Sequence, residues 1–279
     1  MSKKNRSRII SGLILVALLF GLVYACFPFL WMLSSSVKSN NEIFTQPPQL
    51  VPRIFTLSTY INILTNPSKM QFFLNSYIVS IIATILTLVI AIFAAYGFSR
   101  YDFKLKKTLN VFIISTQGVP TMTLLIPYFG LVVSMRLYDT YLALILTYLV
   151  FTLPYAITMM TGYFNTLPRE LDEAVQIDGG SRARSLWGIL VPIAIPGIIA
   201  TAIYTFLLCW NEYLFALCLT KSNEMRTVPV GIQLLMGEHT YEWNEMMAMS
   251  VLGSLPIIFI YMFAQKYFLA GLSSGAVKS

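Results

Sequence analysis

The chain contains few charged residues. Asp, Glu, Lys and Arg make up 11% of its 279 residues, whereas hydrophobic residues make up 57%. In soluble globular domains about a quarter of the residues are charged, so this composition excludes a soluble domain. Six uncharged, apolar stretches remain between the charges, each long enough to cross about 30 Å of hydrocarbon as a helix. We therefore predict an all-α polytopic membrane protein, with residues 1–279 forming a single transmembrane domain and six spans at about 9–34, 72–98, 108–134, 140–163, 189–216 and 246–268.

Histidine and cysteine are also rare. The single histidine, His239, has no second histidine or cysteine beside it, so we expect no metal site. Cys209 and Cys218 are nine residues apart, which on one helix is about 13.5 Å along the axis and beyond the reach of a disulfide. Cys26 lies in the first span, and we interpret all three cysteines as packing residues.

The sequence lacks the usual signatures of catalysis and of ion coupling. No Gly-x-x-x-x-Gly-Lys-Ser/Thr motif occurs, so the chain does not bind ATP by that route, and we expect no cofactor. No cluster of titratable residues suggests a membrane enzyme. The spans carry no charge at mid-depth, which argues against a proton-coupled or ion-coupled pump. Discontinuous helices that bind an ion through backbone carbonyls would escape this last test.

Basic residues indicate the orientation of the chain. An even number of spans places both termini on one side, and 13 of the 19 Lys and Arg residues lie in the segments on that side. Because basic residues accumulate in the cytoplasm, both termini and the connection 164–188 are predicted to be cytoplasmic. The net charge of +7 then reflects orientation and contact with anionic lipid, and gives no reason to expect nucleic acid. The first apolar run is too long for a signal peptide, so we expect an uncleaved span.

The most informative segment is the polar stretch 168–181 inside that connection. Pro168 suits the first position of a helix, and three acidic residues follow where the helix dipole favours negative charge. Gly179 and Gly180 end the helix. Residues spaced i, i+3, i+4 and i+7 give one face that is small and apolar near its middle and would fit a groove on a partner; a surface helix that touches nothing would show the same pattern. The face consists of Leu171, Ala174, Val175 and Asp178.

Residues 170–180, followed by Ile189-Leu190-Val191-Pro192, resemble the Glu-Ala-Ala loop of permease subunits in binding-protein-dependent ABC importers. Two positions of the loop depart from the family pattern, Val175 for the second Ala and Gly180 for the last one, and Leu186 replaces a usual aromatic. The remaining matches cover nearly the whole chain and resemble the carbohydrate-uptake branch, in particular the shorter permease of the maltose-type pair. They are Asn75-Ser76, Ala94-Ala95-Tyr96-Gly97-Phe98-Ser99-Arg100, Trp210-Asn211-Glu212-Tyr213, Gly271-Leu272 and Gly275-Ala276-Val277-Lys278.

The resemblance implies the type I permease fold of ABC importers and a set of partners. In that family the loop is a coupling helix seated in a cleft of a cytoplasmic ATPase dimer, and the C-terminal tail also reaches the ATPase. A second permease subunit and an extracytoplasmic solute-binding protein complete the assembly in the bacterial cell membrane, and ATP hydrolysis occurs on the separate ATPase. The resemblance assigns coupling to Glu170, Leu171, Glu173, Ala174, Val175, Asp178, Gly179 and Gly180, and ATPase contact in the tail to Gly275, Ala276, Val277 and Lys278.

The connection between the last two spans contains a second family match. Residues 227–231 resemble the stretch that faces the binding protein, which implies contacts from Thr227, Val228, Pro229 and Gly231. A re-entrant or interfacial loop with a packing role is the alternative.

The function implied by the resemblance is that of a translocation-pathway subunit of an ATP-driven importer. The expected solute is a sugar or oligosaccharide, and coupling is expected to proceed by alternating access. Two alternatives remain open at this point: an ABC permease for another small solute, such as a polyamine or phosphonate, and an ion-coupled secondary transporter. Uncharged and aromatic residues along the pathway would suit many sugars.

Overall fold

Helices make up nearly all the regular structure of the chain. In the computed structural model the described residues are 3–237 and 242–276, with side chains described for 10–237 and 242–263. No β-strand occurs among them, as expected of segments that must satisfy their own backbone in hydrocarbon. The helices are α1 Lys3–Ser36, α2 Asn40–Ile43, α3 Ser58–Thr65, α4 Pro67–Arg100, α5 Lys106–Thr116, α6 Leu125–Ser134, α7 Tyr141–Thr166, α8 Glu170–Ile177, α9 Arg182–Ser185, α10 Val191–Ile193, α11 Ile195–Trp210, α12 Leu214–Leu219, α13 Val228–Leu234 and α14 Trp243–Ala276.

Four of these helices are long and apolar enough to cross a membrane by length and composition, namely α1, α4, α7 and α14. Two further pairs of helices pass the same test of length and composition only when each pair is taken together, and both pairs are sharply bent. Lys106–Thr116 and Thr121–Ser134 meet at 96°, and Arg182–Ile193 and Ile195–Trp210 meet at 77°. The described residues therefore contain four continuous candidate spans, and six if each bent pair is counted as one span. The number of six spans stays a prediction.

Prolines account for the positions of the breaks. Pro120 precedes the 3₁₀ turn Thr121–Leu124, and Pro192 and Pro196 lie in the first turns of α10 and α11. A proline lacks the N–H that a helix interior needs, but it is tolerated at a helix start. Pro154, in contrast, lies inside the continuous α7.

The chain divides into two compact units. One unit comprises the chain up to Pro67 together with Ile232–Leu255, and the other comprises Ser68–Gly231 together with the chain from Pro256 onwards. Within the first unit, the segment after α1 is joined to the start of α14, because the Trp243 N–H donates to Asn40 Oδ1 at 3.0 Å and the Asn244 amide donates to Thr59 Oγ1 at 3.2 Å. All the site residues discussed below lie in the second unit.

The second unit contains two buried clusters of apolar side chains. The first joins α4, α7 and α12 and includes Val79, Leu144 and Phe215. The second lies nearer to α8 and includes Ala91 and Ala95 of α4, packed with side chains of α7 and of the π-helical turn Leu186–Leu190. Small residues on α4 let neighbouring helices approach closely, which is typical of helix packing in membranes.

Candidate functional site

α8 is a short helix whose two ends are both stabilised. It begins at Glu170, two residues later than Pro168 would suggest, and its first turn contains Glu170, Asp172 and Glu173. These carboxylates complement the positive end of the helix dipole. The predicted helix in the connection is therefore confirmed, and its start lies within the usual variation of helix boundaries.

The C-terminus of α8 depends on the two glycines. Gly179 has a φ of +73°, and its N–H donates to the Gln176 carbonyl at 3.0 Å. The Gly180 N–H donates to the Val175 carbonyl at 2.8 Å, which completes a Schellman motif. A Cβ built on Gly180 would lie 2.5 Å from Val175 Cγ1. The chain therefore needs a left-handed residue at 179 and the absence of a side chain at 180, so the helix cannot continue past Asp178.

A buried ion pair attaches α8 to the end of α4. Arg100 Nε lies 2.7 Å from Asp172 Oδ2, and both side chains are less than a tenth exposed. The Arg100 guanidinium also donates to the carbonyls of Phe164 and Leu167 at 3.2 Å each, so one side chain joins α4, the end of α7 and α8. Removal of one partner from such a buried pair costs about 3–5 kcal/mol, because the other charge remains unpaired.

Asp172 also binds the segment that follows α8. Its Oδ1 accepts hydrogen bonds from the Ser185 hydroxyl and from the Tyr96 hydroxyl, the latter at 3.4 Å. On the same side, the Arg182 guanidinium lies 4.6 Å from the centre of the Tyr101 ring, a distance at which a cation is attracted to the face of an aromatic ring. α8 is therefore held as a rigid body against α4 and α9.

The predicted docking face of α8 is divided between two environments. Val175 is buried and Leu171 packs partly against the second apolar cluster, so these two side chains face the protein. Ala174 and Asp178 are exposed. The exposed surface of α8 is shifted by one position from the predicted face and contains Glu170, Glu173, Ala174, Ile177 and Asp178.

Ile177 is the unusual member of this surface. It is 85% exposed, the largest exposed fraction among the large hydrophobic side chains described. Its position at the end of a polar helix leaves an apolar side chain presented outward beside Ala174. Ile177, Arg100, Asp172 and Ser185 were not among the residues predicted for the site. A signal for the pair was present, since Arg100 follows a long uncharged span and needs a partner if it is buried.

The C-terminal tail can be placed only in part. Gly275 and Ala276 are the last two residues of α14, and Val277 and Lys278 lie outside the described residues. Their assignment to ATPase contact stays a prediction.

The stretch 227–231 is anchored to α4. The Asn75 amide donates to the carbonyls of Glu224 and Arg226 at 2.9 and 2.7 Å, and the Ser76 hydroxyl accepts from the Val228 N–H at 2.8 Å. Asn75 Oδ1 in turn accepts from the Tyr141 hydroxyl at 2.7 Å. A polar pair at the start of the second span therefore fixes the preceding loop 224–226 and the first turn of α13.

The residues predicted to contact the binding protein are largely buried. Thr227, Val228 and Gly231 are buried and Pro229 is half-buried, and a side chain on Gly231 would collide with the Phe72 ring. Of the two possibilities for this stretch, a packing role fits its burial. The neighbouring Lys221, Asn223 and Glu224 are exposed, so a partner on this side would meet them first.

Asp139 provides a second link in the same region. Its carboxylate accepts from the backbone N–H groups of Lys221 and Ser222 at 2.8 and 3.1 Å. Burial of Asp139 acts to raise its pKa, but these hydrogen bonds outweigh the burial and hold the pKa below its usual value. Asp139 thereby joins the connection that precedes α7 to the connection that follows α12.

Comparison with known proteins identifies the family. Residues 87–274 match the family described as binding-protein-dependent transport system inner membrane component. The chain is 34% identical over 277 residues to the trehalose/maltose transport system permease protein MalG of Thermococcus litoralis, which covers 98% of this chain and 97% of the relative. It is also 34% identical over 257 residues to the sulfoquinovosyl glycerol transport system permease protein SmoH of Agrobacterium fabrum, covering 92% and 90%.

A solved structure supports the predicted fold. A chain of a bacterial ABC transporter involved in the import of the acidic polysaccharide alginate superposes with a TM-score of 0.81 at 20% identity, covering 96% of this chain and 99% of that one. The type I permease fold is thus confirmed. Together with the family match over most of the sequence, these findings show that the chain is a member of the binding-protein-dependent transport system inner membrane components.

Proposed function

We propose that the chain is the translocation-pathway subunit of an ATP-driven ABC importer for a sugar or oligosaccharide. It works beside a second permease subunit, a cytoplasmic ABC ATPase dimer and an extracytoplasmic solute-binding protein, and it does not itself hydrolyse ATP. Both termini and α8 lie in the cytoplasm, as the distribution of basic residues indicates.

The observation that carries this proposal is the way α8 is held. A helix that transmits a movement must be rigid relative to its own protein and must present a surface to its partner. The buried Arg100–Asp172 pair meets the first requirement. Exposed Glu173, Ala174 and Ile177 meet the second. Acidic groups around an apolar centre suit a shallow cleft with a basic rim on the ATPase.

The coupling residues therefore divide into two groups. Glu170, Glu173, Ala174, Ile177 and Asp178 contact the ATPase. Leu171 and Val175 pack inward and, with Gly179 and Gly180, set the position and end of the helix. The exposed residues are thus assigned to docking, and the buried ones to packing within the protein.

The sugar assignment rests on the relatives. The two relatives described above carry names of glycan or sugar-derivative transport systems. Their substrates differ in charge, since sulfoquinovosyl glycerol carries a sulfonate whereas trehalose and maltose are neutral. A carbohydrate is the class that they share.

Reconstitution of the full assembly tests the proposal. The chain, its paired permease, the ATPase and the binding protein are placed in liposomes, and uptake of maltose, trehalose, arabinotriose and sulfoquinovosyl glycerol is measured. We expect uptake of at least one of these sugars with ATP on the ATPase side, and no uptake when ATP is withheld. Collapse of proton and sodium gradients should leave uptake unchanged. Uptake by the isolated chain, driven by an ion gradient without ATP, would contradict the proposal.

A further inference from the structure

A cavity of about 530 Å³ lies in the second unit, between the two bent helix pairs. It is bounded by the end of α5 and the turn after it, by the middle of α7, and by the junction of α11 and α12. Its volume falls within the range of about 300–1,000 Å³ that is usual for small-molecule sites.

The backbone is interrupted on two sides of this cavity. α5 ends at Thr116 and helical structure resumes only at Thr121, while α11 ends at Trp210 and α12 begins at Leu214. Irregular backbone at membrane depth is tolerated only where it is buried in protein or lines a hydrated space. Interrupted helices are also where transporters commonly bind their substrates. The cavity therefore lies beside interrupted backbone, where polar groups are available to bind a transported molecule.

Gln117 supplies one such group. Its amide nitrogen donates to the Pro154 carbonyl at 3.2 Å and to the Thr158 hydroxyl at 3.1 Å. Its amide oxygen accepts no hydrogen bond from the described residues, so the side chain is held in place with one acceptor unused.

Glu212 supplies a second group, from the junction of α11 and α12. Its Oε1 accepts from the Phe215 N–H at 2.8 Å, and its Oε2 accepts from the Ala216 N–H at 2.9 Å and from the Tyr148 hydroxyl at 3.1 Å. Each carboxylate oxygen can accept more than one hydrogen bond. The carboxylate is thus fixed at the start of α12, where it lines the cavity.

Aromatic rings form much of the remaining wall. The Phe151 ring packs on Phe215 with centroids 4.7 Å apart, and the Tyr155 ring packs on Tyr204 at 5.7 Å. Phe151 and Tyr155 both line the cavity. The C–H face of a pyranose packs on such rings, while its hydroxyls require donors and acceptors at the rim. The aromatic rings can pack on the C–H face, and Gln117 and Glu212 place polar groups where the hydroxyls would lie.

The charge of the wall narrows the class of ligand. None of the described residues lining the cavity is Lys, Arg or His, and the only acidic one is Glu212. An anionic sugar would find no countercharge there, and an unpaired charge is costly to bury. We propose that this cavity is a binding subsite for an uncharged carbohydrate on its way through the membrane. The inference rests on the proposed function and adds a position and a preference for neutral sugars.

Protection from chemical labelling tests the subsite directly. Thr121, which lines the cavity and is exposed, is replaced by cysteine in a chain that also carries Cys26→Ala, Cys209→Ala and Cys218→Ala. The rate of reaction with a small maleimide is measured on the purified complex, with the binding protein omitted. We expect the transported neutral sugar from the uptake panel to slow labelling. Gln117→Leu should raise the sugar concentration needed for half protection by about fivefold, the worth of one hydrogen bond.

Two control variants accompany this measurement. Ser115→Ala removes a hydroxyl from the same end of α5 but not from the cavity wall, and it should leave the protecting concentration unchanged. Ile54→Cys, introduced in place of Thr121→Cys, lies in the other unit and is 74% exposed, so the sugar should not slow its labelling. If the cysteine-free complex is not functional, the uptake rate of Gln117→Leu in the native background, at saturating binding protein, replaces the labelling assay and should fall by about fivefold.

The outcomes separate this inference from the proposed function. Absence of uptake for the whole panel would overturn both. ATP-driven uptake without protection at position 121 would overturn the subsite alone, as would transport of sulfoquinovosyl glycerol in preference to the neutral sugars. A cysteine at 121 that reacts in the isolated chain and becomes unreactive on assembly, with or without sugar, would show that the second permease fills the cavity, which also contradicts the subsite.

Discussion

Arg100, the last residue of α4, makes a 2.7 Å ion pair with Asp172 in the first turn of α8. The pair is buried and connects the end of a membrane span to the helix proposed to contact the ATPase. Any movement imposed on α8 would therefore pass to α4 without an intervening flexible loop.

Loss of one member of the pair should uncouple the transporter. Arg100→Met or Asp172→Asn should destabilise the fold by about 3–5 kcal/mol and reduce uptake strongly. The double variant Arg100→Met with Asp172→Leu should lose less stability than either single variant, because no unpaired charge remains buried. Thermal unfolding of the purified complex and uptake in liposomes are the measurements.

The exposed pair between Lys106 and Asp102 provides the control for that experiment. Its atoms are 3.0 Å apart, but the Asp102 side chain is 80% exposed. Lys106→Met should leave the midpoint of thermal unfolding nearly unchanged, because exposed ion pairs contribute little to stability. Equal effects from the buried and the exposed pair would refute the role given to Arg100 and Asp172.

Gly179 should resist substitution. Gly179→Ala forces a Cβ into the left-handed region at a cost of about 1–2 kcal/mol, and Gly179→Pro cannot adopt that backbone at all. We expect partial loss of uptake for the first and complete loss for the second, with protein still present in the membrane. Gly162→Ala is the matched control, because no atom lies within 4 Å of the position that its added methyl carbon would occupy. Wild-type uptake by Gly179→Pro would disprove the importance of the helix end.

Glu173→Lys should abolish uptake while the protein remains in the membrane. The residue is exposed in the first turn of α8, where a positive charge opposes the helix dipole and would repel a basic rim on the ATPase. Asp102→Lys, a charge reversal at an exposed position in the connection between α4 and α5, should retain uptake. The two uptake rates are compared at equal amounts of protein in the membrane, and equal rates would argue against a docking role for Glu173.

The topology is tested by fusions to a reporter that is active only outside the cytoplasm. Fusions after Asn66 or Asn223 should be active, and fusions after Lys106 or Ser181 should be silent, because basic residues accumulate in the cytoplasmic segments. Activity of the Ser181 fusion would overturn both the orientation and the assignment of α8.

Asp139 should stabilise the outer connections in a pH-dependent way. Its pKa in the folded protein is lowered from 3.8 by hydrogen bonds from Lys221 and Ser222, against the effect of burial. Its contribution is therefore present above pH 3.8 and is lost as the pH falls through the lower folded value. Asp139→Ala should cost about 1 kcal/mol near neutral pH and should speed amide hydrogen exchange at 221 and 222. Unchanged exchange in that variant would show that the carboxylate does not hold this connection.

The sequence predicted the class of fold because apolar length is a local property. Four of the six uncharged stretches correspond to continuous candidate spans and the other two to bent helix pairs, and the prolines marked where the helices could bend. Whether a proline breaks a helix depends on its neighbours in space. Pro120 and Pro154 both lie within uncharged apolar stretches, yet Pro120 lies at a break and Pro154 lies inside a continuous helix. The bends of 96° and 77° were therefore not predictable.

The candidate site shows the same division between local and long-range properties. The end of α8 at Gly179 follows from local backbone preference and was expected. The side of α8 that faces solvent depends on its contacts with α4 and α9, so Val175 was assigned outward although it is buried. Thr227 and Val228 were likewise expected to contact a partner, although both are buried. Their burial depends on hydrogen bonds that Asn75 donates and Ser76 accepts across about 150 positions of sequence, which no local pattern reveals.

Photocrosslinking at Ile177 tests whether the exposed side of α8 contacts the ATPase. A photoreactive amino acid is placed at 177, which is 85% exposed, or at Ile54, which is 74% exposed and predicted to lie outside the cytoplasm. The assembly is irradiated in native membranes, and the captured protein is identified by mass spectrometry. We predict that position 177 captures an ABC ATPase subunit and that position 54 does not. Failure to capture the ATPase from position 177 in a transport-active assembly would show that this side of α8 does not dock on the ATPase.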